Sequence, residues 1–320
     1  MCQEKSFMYL GHVLSNDGCN MPNINHKRNK TIGTKKQIIE LVKPLGLYTF
    51  ESAVVYIQSL LRSSILYASE TMTNIKESDY RELEKIEESV VQKIFKTTRS
   101  CSRHLLYLET GIIPARFQVQ RQVLNLYQYI VQQPSDSLMY KVYESLDKCP
   151  TKNDWLSGVK KTLETFEIQI TVEEIQAMKP AKFKNIVRLQ AQKVAFKYLL
   201  DKLNNGKKGK LISYKQIELA DYLTPECSLS VEDKLEMFSF RCEMNNLPNN
   251  FGKTDLCEMS CTELMSNDHL LRCVHLNENT PIDMSLEQIR NGNIREKIEV
   301  LRILQHNTRK RIEHINSKSY

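Results

Sequence analysis

The spacing of apolar residues is the feature that most constrains the fold of this chain. In ESAVVYIQSLLRSSILY, Val54, Ile57, Leu61 and Ile65 recur at intervals of three or four residues. That interval is the period of one face of a helix. The same spacing returns in SDYRELEKIEESVVQKIF and again in PARFQVQRQVLNLYQYIVQQ. Three amphipathic segments in succession predict a small helical bundle.

Strand signals are confined to the N-terminus. Residues 6–14, SFMYLGHVL, predict a short strand that enters the turn SNDG, where Asp17 and Gly18 can supply the positive φ of a hairpin. Ser78 is a plausible N-cap, and Pro114 suits the first turn of a helix. The predicted fold class is therefore mainly α, with a short N-terminal β-hairpin.

Positive charge is concentrated in residues 181–215. This segment holds ten Lys or Arg residues and one acid, so its local charge of +9 exceeds the net charge of +7 of the whole chain. Contacts to a phosphate backbone require charge rather than base-reading groups. The segment therefore predicts nucleic-acid contacts, although a solvated charged face is the alternative. The predicted contact residues are Lys182, Lys184, Arg188, Lys193, Lys197, Lys207, Lys208 and Lys210. Phe183, Phe196 and Tyr198 have helical spacing, which favours core positions over base stacking.

Three cysteines and a histidine lie within CEMSCTELMSNDHLLRC, residues 257–273. The spacing Cys257-x3-Cys261-x7-His269-x3-Cys273 supplies two local ligand pairs, as tetrahedral zinc requires. If NDHLLRC begins a helix, His269 and Cys273 share one face at i and i+4. The alternative is that these residues simply pack in a core, and His275 is a weaker alternative ligand. The polar loop between the pairs favours zinc.

A closed Cys3His site would be structural, because four protein ligands leave no position for an activated water. The other six of the nine cysteines are scattered singly, which does not suggest a disulfide framework. The apolar runs are too short to span a bilayer, and the first residues lack the pattern of a signal peptide. We therefore expect an intracellular protein without a membrane partner.

The order of the motifs resembles the region downstream of the catalytic core in non-LTR (LINE-type) retrotransposon reverse transcriptases. YLG-x-x-L-S-x-D-G resembles the end of the palm, and the SILYASET and LEKIEE segments resemble the thumb. FSFRCEMNNLPNNFGK with the following Cys/His cluster is similar to the C-terminal zinc knuckle of these proteins. The resemblance covers most of the chain and is weakest between Cys149 and Ile217.

The resemblance implies a division into four segments. Residues 1–22 would be an end-of-palm remnant and residues 23–148 a thumb-like helical bundle. Residues 149–236 would be a basic helical linker, and residues 237–320 a zinc-knuckle module with a C-terminal helix. In the family the thumb grips the template–primer duplex, so RNA and DNA are the expected partners. The resemblance implies such contacts at Lys27, Arg28, Lys30, Lys35 and Lys36, although a solvated helix without a ligand is the alternative.

Polymerase activity is not expected of this chain. Enzymes of the family hold two magnesium ions on palm carboxylates that include a paired Asp-Asp, and the sequence contains no Asp-Asp dipeptide. NNGKKGK also lacks the spacing of a phosphate loop. We therefore predict no catalytic residues. The chain would be the distal part of a longer reverse transcriptase polyprotein, or a degenerate genomic copy.

Two other functions stay open at this stage. The chain could be a zinc-stapled helical scaffold that binds protein partners, or an inactive retrotransposon remnant. In the scaffold hypothesis the terminal helix IREKIEVLRILQHNTRKRIEHI would act as a coiled-coil-like arm. Its seam would consist of Ile294, Ile298, Leu301, Leu304 and Ile312.

Overall fold

The computed structural model describes residues 6–42, 50–97, 101–206 and 214–242, and residues 257, 269, 273, 300, 302, 303 and 305–311. Within residues 6–242, the described segments form one two-stranded sheet and eleven α-helices. The strands are β1 (Ser6–Tyr9) and β2 (His12–Ser15), and the helices are α1 (Met21–Val42), α2 (Phe50–Tyr56), α3 (Arg62–Leu66), α4 (Glu77–Ile94), α5 (Arg103–Thr110), α6 (Ala115–Val131), α7 (Leu138–Lys148), α8 (Trp155–Thr165), α9 (Val172–Ala177), α10 (Pro180–Asn204) and α11 (Val231–Arg241). The predicted mainly α fold with an N-terminal hairpin is confirmed.

The hairpin turn lies earlier than the sequence predicted. β1 and β2 pair antiparallel, and Leu10 and Gly11 connect them with φ of +47° and +77°. Positive φ at both central residues is the signature of the turn type that best matches strand twist. The hydroxyl of Tyr67 donates to the carbonyl of Leu10 at 2.6 Å and holds this turn in place. The predicted turn residues, SNDG, instead lead from β2 towards α1, with Gly18 at φ +70°.

The three amphipathic segments are helical, as their spacing predicted. The first consists of α2, a single π-helical turn at Ile57–Leu61, and α3. The second is α4, which begins at Glu77, so Ser78 lies inside its first turn rather than capping it. The third is α6, whose N-cap is Pro114.

The chain divides into two compact units. The first unit contains residues 1–46, 53–91 and 113–198, and the second contains residues 47–52, 92–112 and 199–320. The four segments that the family resemblance implies stay a prediction. The proposed seam of the terminal helix, Ile294, Ile298, Leu301, Leu304 and Ile312, lies outside the described residues.

Buried ion pairs stabilise the first unit together with its apolar core. The Nε atom of Arg116 on α6 donates to Glu84 of α4 at 2.5 Å, and its two terminal nitrogens donate to Glu77 at 2.8 Å. The guanidinium also lies 4.7 Å from the centre of the Tyr198 ring. Arg62 pairs with the buried Glu87 in the same way, at 2.6 Å. Buried charges of this kind must be paired and hydrogen-bonded, so these contacts fix how the helices pack.

The second unit is built around stacked aromatic rings and a buried carboxylate. The ring of Phe95 lies 4.9 Å from that of Phe50 and 4.6 Å from that of Phe238. Glu109 at the end of α5 is fully buried and accepts hydrogen bonds from Arg241 at 2.9 Å. The hydroxyl of Tyr222 donates to the same carboxylate at 2.8 Å. Burial alone would lower the pKa of Arg241, but the Glu109 carboxylate outweighs burial and raises it.

Candidate metal centre and basic surfaces

Cys257, His269 and Cys273 form a buried cluster in the second unit. Their potential ligand atoms all lie within 4.8 Å of one another, and the two sulfurs are 3.9 Å apart. All three side chains are buried. A group of two thiols and an imidazole at this separation could hold a metal ion.

The chain geometry explains why His269 and Cys273 meet. The backbone N–H of Cys273 donates to the carbonyl of His269 at 2.7 Å, which closes one helical turn between them. Residues at i and i+4 lie on the same side of such a turn. Cys257, sixteen positions before Cys273 in the chain, joins them. The sequence predicted this juxtaposition from spacing alone.

The separation of the two sulfurs matches the requirements of zinc. Four ligands at Zn–S distances of about 2.3 Å in a tetrahedron place neighbouring sulfurs just under about 4 Å apart. The observed 3.9 Å falls at that value. The predicted fourth ligand, Cys261, and the alternative ligand His275 lie outside the described residues.

Three basic residues near the start of α10 face solvent. Lys182, Lys184 and Arg188 are exposed, while Phe183 and Val187 between them are fully buried. None of the three basic side chains forms an ion pair with any residue that the structure describes. Arg188 donates only to the amide oxygen of Asn185, at 2.9 Å. Among the residues that the structure describes, this end of α10 therefore presents positive charge to solvent without an acidic partner.

The later lysines of α10 are partly neutralised. Lys193 and Lys197 are exposed, and each donates to the carboxylate of Glu167 at 3.3 Å. These hydrogen bonds lower the pKa of Glu167, because both favour its charged form. The remaining predicted contacts of the segment, Lys207, Lys208 and Lys210, lie outside the described residues.

The aromatic residues of α10 are buried or half-buried. Phe183 is fully buried, and Phe196 and Tyr198 are half-buried. Tyr198 packs edge-to-face on Phe117 with 5.6 Å between ring centres. Their position agrees with the core assignment that the helical spacing favoured.

Of the α1 residues for which the resemblance implies nucleic-acid contacts, Lys27 is buried and Arg28 is partly exposed. Lys27 is buried and donates to the carbonyl of Tyr67, so its ammonium group is part of the packing between α1 and the residues after α3. Burial, followed by nearby Lys30, lowers the pKa of Lys27 to about 8, although Glu70 opposes this shift. Arg28 forms an ion pair with Glu82 of α4.

The other basic residues of α1 are more accessible than Lys27. Lys30 is exposed, with its ammonium 5.5 Å from the centre of the Tyr67 ring. Lys36 is also exposed and lies 3.8 Å from the carboxylate of Glu40, whereas Lys35 is half-buried. The charge of α1 is thus largely engaged in contacts within the protein.

Arg121 on α6 is a basic residue that the sequence analysis did not single out. Its side chain is half-buried and makes no ion pair or hydrogen bond with any described residue. Burial lowers its pKa, and the positive charges of Arg62 and Arg188 lower it further. Arg121 therefore adds to the positive potential near Arg188. No sequence pattern marks it, because α6 is not rich in basic residues.

The chain matches no protein-family model, no curated protein and no solved structure. Among the described residues, no helix has both the length and the apolar character to cross a membrane.

Proposed function

We propose that this chain binds nucleic acid through the phosphate backbone, with the first half of α10 as its main contact surface. The observation that carries the proposal is the exposure of Lys182, Lys184 and Arg188 without acidic partners among the described residues. Arg121 lies close enough to Arg188 for the two charges to repel. Such repulsion is relieved when a polyanion binds, because phosphates neutralise both charges.

The order of the sequence motifs supports a specific origin for this activity. We propose that the chain is the distal, template–primer-binding part of a non-LTR reverse transcriptase that lacks the catalytic palm. Without a pair of metal-binding aspartates, we expect no nucleotidyl transfer. Purified chain incubated with primer, template, deoxynucleotides and magnesium should extend nothing. Reproducible, heat-labile extension would refute this part of the proposal.

We further propose that Cys257, Cys261, His269 and Cys273 bind a structural zinc ion. The clustering of three of these side chains supports it, with two sulfurs 3.9 Å apart. Bound zinc would supply folding free energy rather than catalysis, because four protein ligands leave no open position. Cys257 and the His269–Cys273 turn would then be held together although sixteen residues separate the two cysteines.

The nucleic-acid proposal is tested by charge reversal on α10. The triple variant Lys182→Glu, Lys184→Glu, Arg188→Glu should bind single-stranded RNA at least about tenfold more weakly than the wild type. It should also reduce the slope of log affinity against log salt by about 2, since each phosphate contact contributes roughly 0.7 on a single strand. Fluorescence anisotropy with several unrelated RNA sequences measures both quantities. All sequences should be affected equally.

A matched control keeps the same change in net charge. Lys141, Lys148 and Lys152 are exposed on and after α7 in the same compact unit. Reversing these three to Glu should leave the salt slope unchanged. Equal losses in both triple variants would mean that only net charge matters. No measurable binding of RNA or DNA by the wild type would refute the proposed function itself.

The zinc proposal is tested by metal analysis of purified protein. The variants Cys257→Ser, Cys261→Ser, His269→Ala and Cys273→Ser should each lose bound zinc, from about one ion per chain towards zero. Cys227→Ser removes another buried cysteine of the same unit and should keep the metal. Retention of zinc in Cys273→Ser, or its loss in Cys227→Ser, would exclude this ligand set.

A further inference from the structure

Within the described residues, the outer edge of the N-terminal hairpin is open, because β1 pairs only with β2. The opposite edge of the hairpin is covered, since the backbone N–H of Val13 on β2 donates to the side-chain oxygen of Asn23 on α1 at 3.2 Å. The hairpin is therefore anchored through β2 and presents β1 outward.

β1 carries apolar side chains on both of its faces. Phe7, Met8, Tyr9 and Leu10 are 55%, 60%, 62% and 74% exposed. The strand and the following turn residue, Ser6–Leu10, include no charged side chain. An open, apolar and uncharged edge is the type of strand that pairs with another strand, and soluble proteins normally protect it with charges or proline.

The pairing register fixes which backbone groups of β1 point outward. Tyr9 and His12 flank the two-residue turn, and Met8 lies opposite Val13. Because residues in an antiparallel pair alternate between inward and outward hydrogen bonding, Met8 shares the outward orientation of Val13. Ser6 has the same orientation two residues earlier. Ser6 and Met8 thus offer donors and acceptors on the open edge.

We propose that β1 pairs with β1 of a second copy of this chain, antiparallel about a two-fold axis at Phe7. In this register Ser6 lies opposite Met8 of the second copy, and Met8 lies opposite Ser6 of the second copy. The outward groups of Ser6 and Met8 then form four backbone hydrogen bonds. Phe7 faces its own counterpart in a non-hydrogen-bonded pair, where side chains approach most closely. The two hairpins become one four-stranded sheet.

The available apolar area indicates how strong this dimer is. Large apolar side chains cover about 150–250 Å² each, so four residues exposed by about 60% offer at most roughly 360–600 Å² per copy. The total of about 720–1,200 Å² does not exceed the lower end of the range of stable complexes, which begins near about 1,200 Å². The dimer is therefore weak and depends on protein concentration. Because β1 is uncharged, the association is insensitive to salt, in contrast to nucleic-acid binding.

Sedimentation velocity of the full chain, freed of nucleic acid and kept reduced, tests this proposal. The wild type should shift from monomer to dimer as its concentration rises. Phe7→Lys should weaken dimerisation about tenfold or more, because lysines on an edge strand oppose pairing. Leu138→Lys adds the same charge at a residue of α7 that is 78% exposed, and should dimerise as the wild type does.

A second variant acts on the backbone without adding charge. Met8→Pro removes an outward N–H, and proline is tolerated where that group faces solvent. It should weaken dimerisation while circular dichroism stays unchanged. The proposal is overturned if the wild type is monomeric at every concentration or forms open-ended aggregates. It is equally overturned if Phe7→Lys and Met8→Pro dimerise as well as the wild type.

Discussion

The two basic helices of the first unit, α1 and α10, use their positive charge in opposite ways. On α1, Lys27 is buried against the carbonyl of Tyr67 and Arg28 is paired with Glu82. On α10, Lys182 and Lys184 face solvent and have no acidic partner among the described residues. The two helices look alike in sequence, yet α1 uses two of its cations, Lys27 and Arg28, in contacts within the protein, whereas the start of α10 keeps its cations at the surface.

The difference arises from what surrounds each helix. α4 is acidic: Glu82, Glu84 and Glu87 pair with arginines from neighbouring segments, and Glu88 pairs with Arg81 of α4 itself. The start of α10 has no such neighbour among the described residues, and an acid appears only further along the helix, where Glu167 contacts two lysines. The number of basic residues in a segment therefore does not predict how much charge is available for binding.

The largest expected effect comes from removing a cation whose charge is used inside the protein. Arg116→Ala should lower the free energy of unfolding by about 3–5 kcal/mol, because it removes the 2.5 Å ion pair of the buried Glu84, whose contact with Arg81 is longer, at 4.0 Å. Arg188→Ala, on the exposed face of α10, should change stability by less than about 0.5 kcal/mol. Urea unfolding of the two variants measures the contrast.

A compensating variant separates the lost ion pair from lost packing. Replacing both Arg116 and Glu84 with Leu should recover most of the stability, since it removes both buried charges. The recovered protein should bind RNA as the wild type does, whereas Arg188→Ala should bind less well. If Arg116→Ala and Arg188→Ala lowered the free energy of unfolding by the same small amount, the distinction between internal and surface cations would be wrong.

The second effect is a pH dependence that originates from Lys27. The pKa of Lys27 is about 8 in the folded protein and about 10.4 when unfolded, so the unfolded state binds more protons between these values. Stability therefore rises as pH increases from about 8 to about 10.4, by up to roughly 3 kcal/mol. Lys27→Met should lack this rise. Thermal unfolding of both proteins across this range measures the difference.

Comparing the wild type with Lys27→Met removes the pH dependence of stability that other titrating groups cause, because both proteins share these groups. Burial raises the pKa of Tyr80 to about 12, so its contribution to stability is lost as pH rises above about 10 in both proteins. RNA affinity at neutral pH should be the same for wild type and Lys27→Met. A clear loss of RNA affinity in Lys27→Met would show that Lys27 is part of the binding surface.

A smaller effect is expected at Arg121. Arg121→Gln should weaken RNA binding severalfold and reduce the salt slope by about 0.7, as expected for the loss of one phosphate contact on a single strand. Lys141→Gln removes one exposed charge from the same unit and should leave the slope unchanged. Identical slopes for Arg121→Gln and the wild type would exclude Arg121 from the contact.

Local periodicity was enough to predict the helices but not the partners of charged residues. The intervals of three and four residues located α4 and α6, because side chains on one helix face share a core. The burial of Lys27 depends on a carbonyl forty residues away, and the pairing of Arg116 depends on residues of another helix. No local sequence pattern predicts such long-range contacts.

The hairpin and the Cys/His cluster show the same difference between local relations, which the sequence predicts, and long-range contacts, which it does not. The i and i+4 relation of His269 and Cys273 is local, and the spacing predicted it. The turn at Leu10–Gly11 was missed because a leucine with positive φ is uncommon. A hydrogen bond from Tyr67, far along the chain, stabilises this turn.

The smallest expected effect tests whether an acid limits the availability of charge on α10. Glu167→Gln removes the carboxylate that pairs with Lys193 and Lys197, and all three side chains lie at the surface. Both lysines then become available to phosphates, so RNA affinity should increase about two- to threefold at low salt and the salt slope should steepen. Glu144→Gln, which removes an exposed carboxylate paired with Lys148 on α7, is the matched control and should change neither quantity. Anisotropy titrations at several salt concentrations measure both effects. An unchanged affinity in Glu167→Gln would place the contact on the first half of α10 alone, because Lys193 and Lys197 would then be free and still not used.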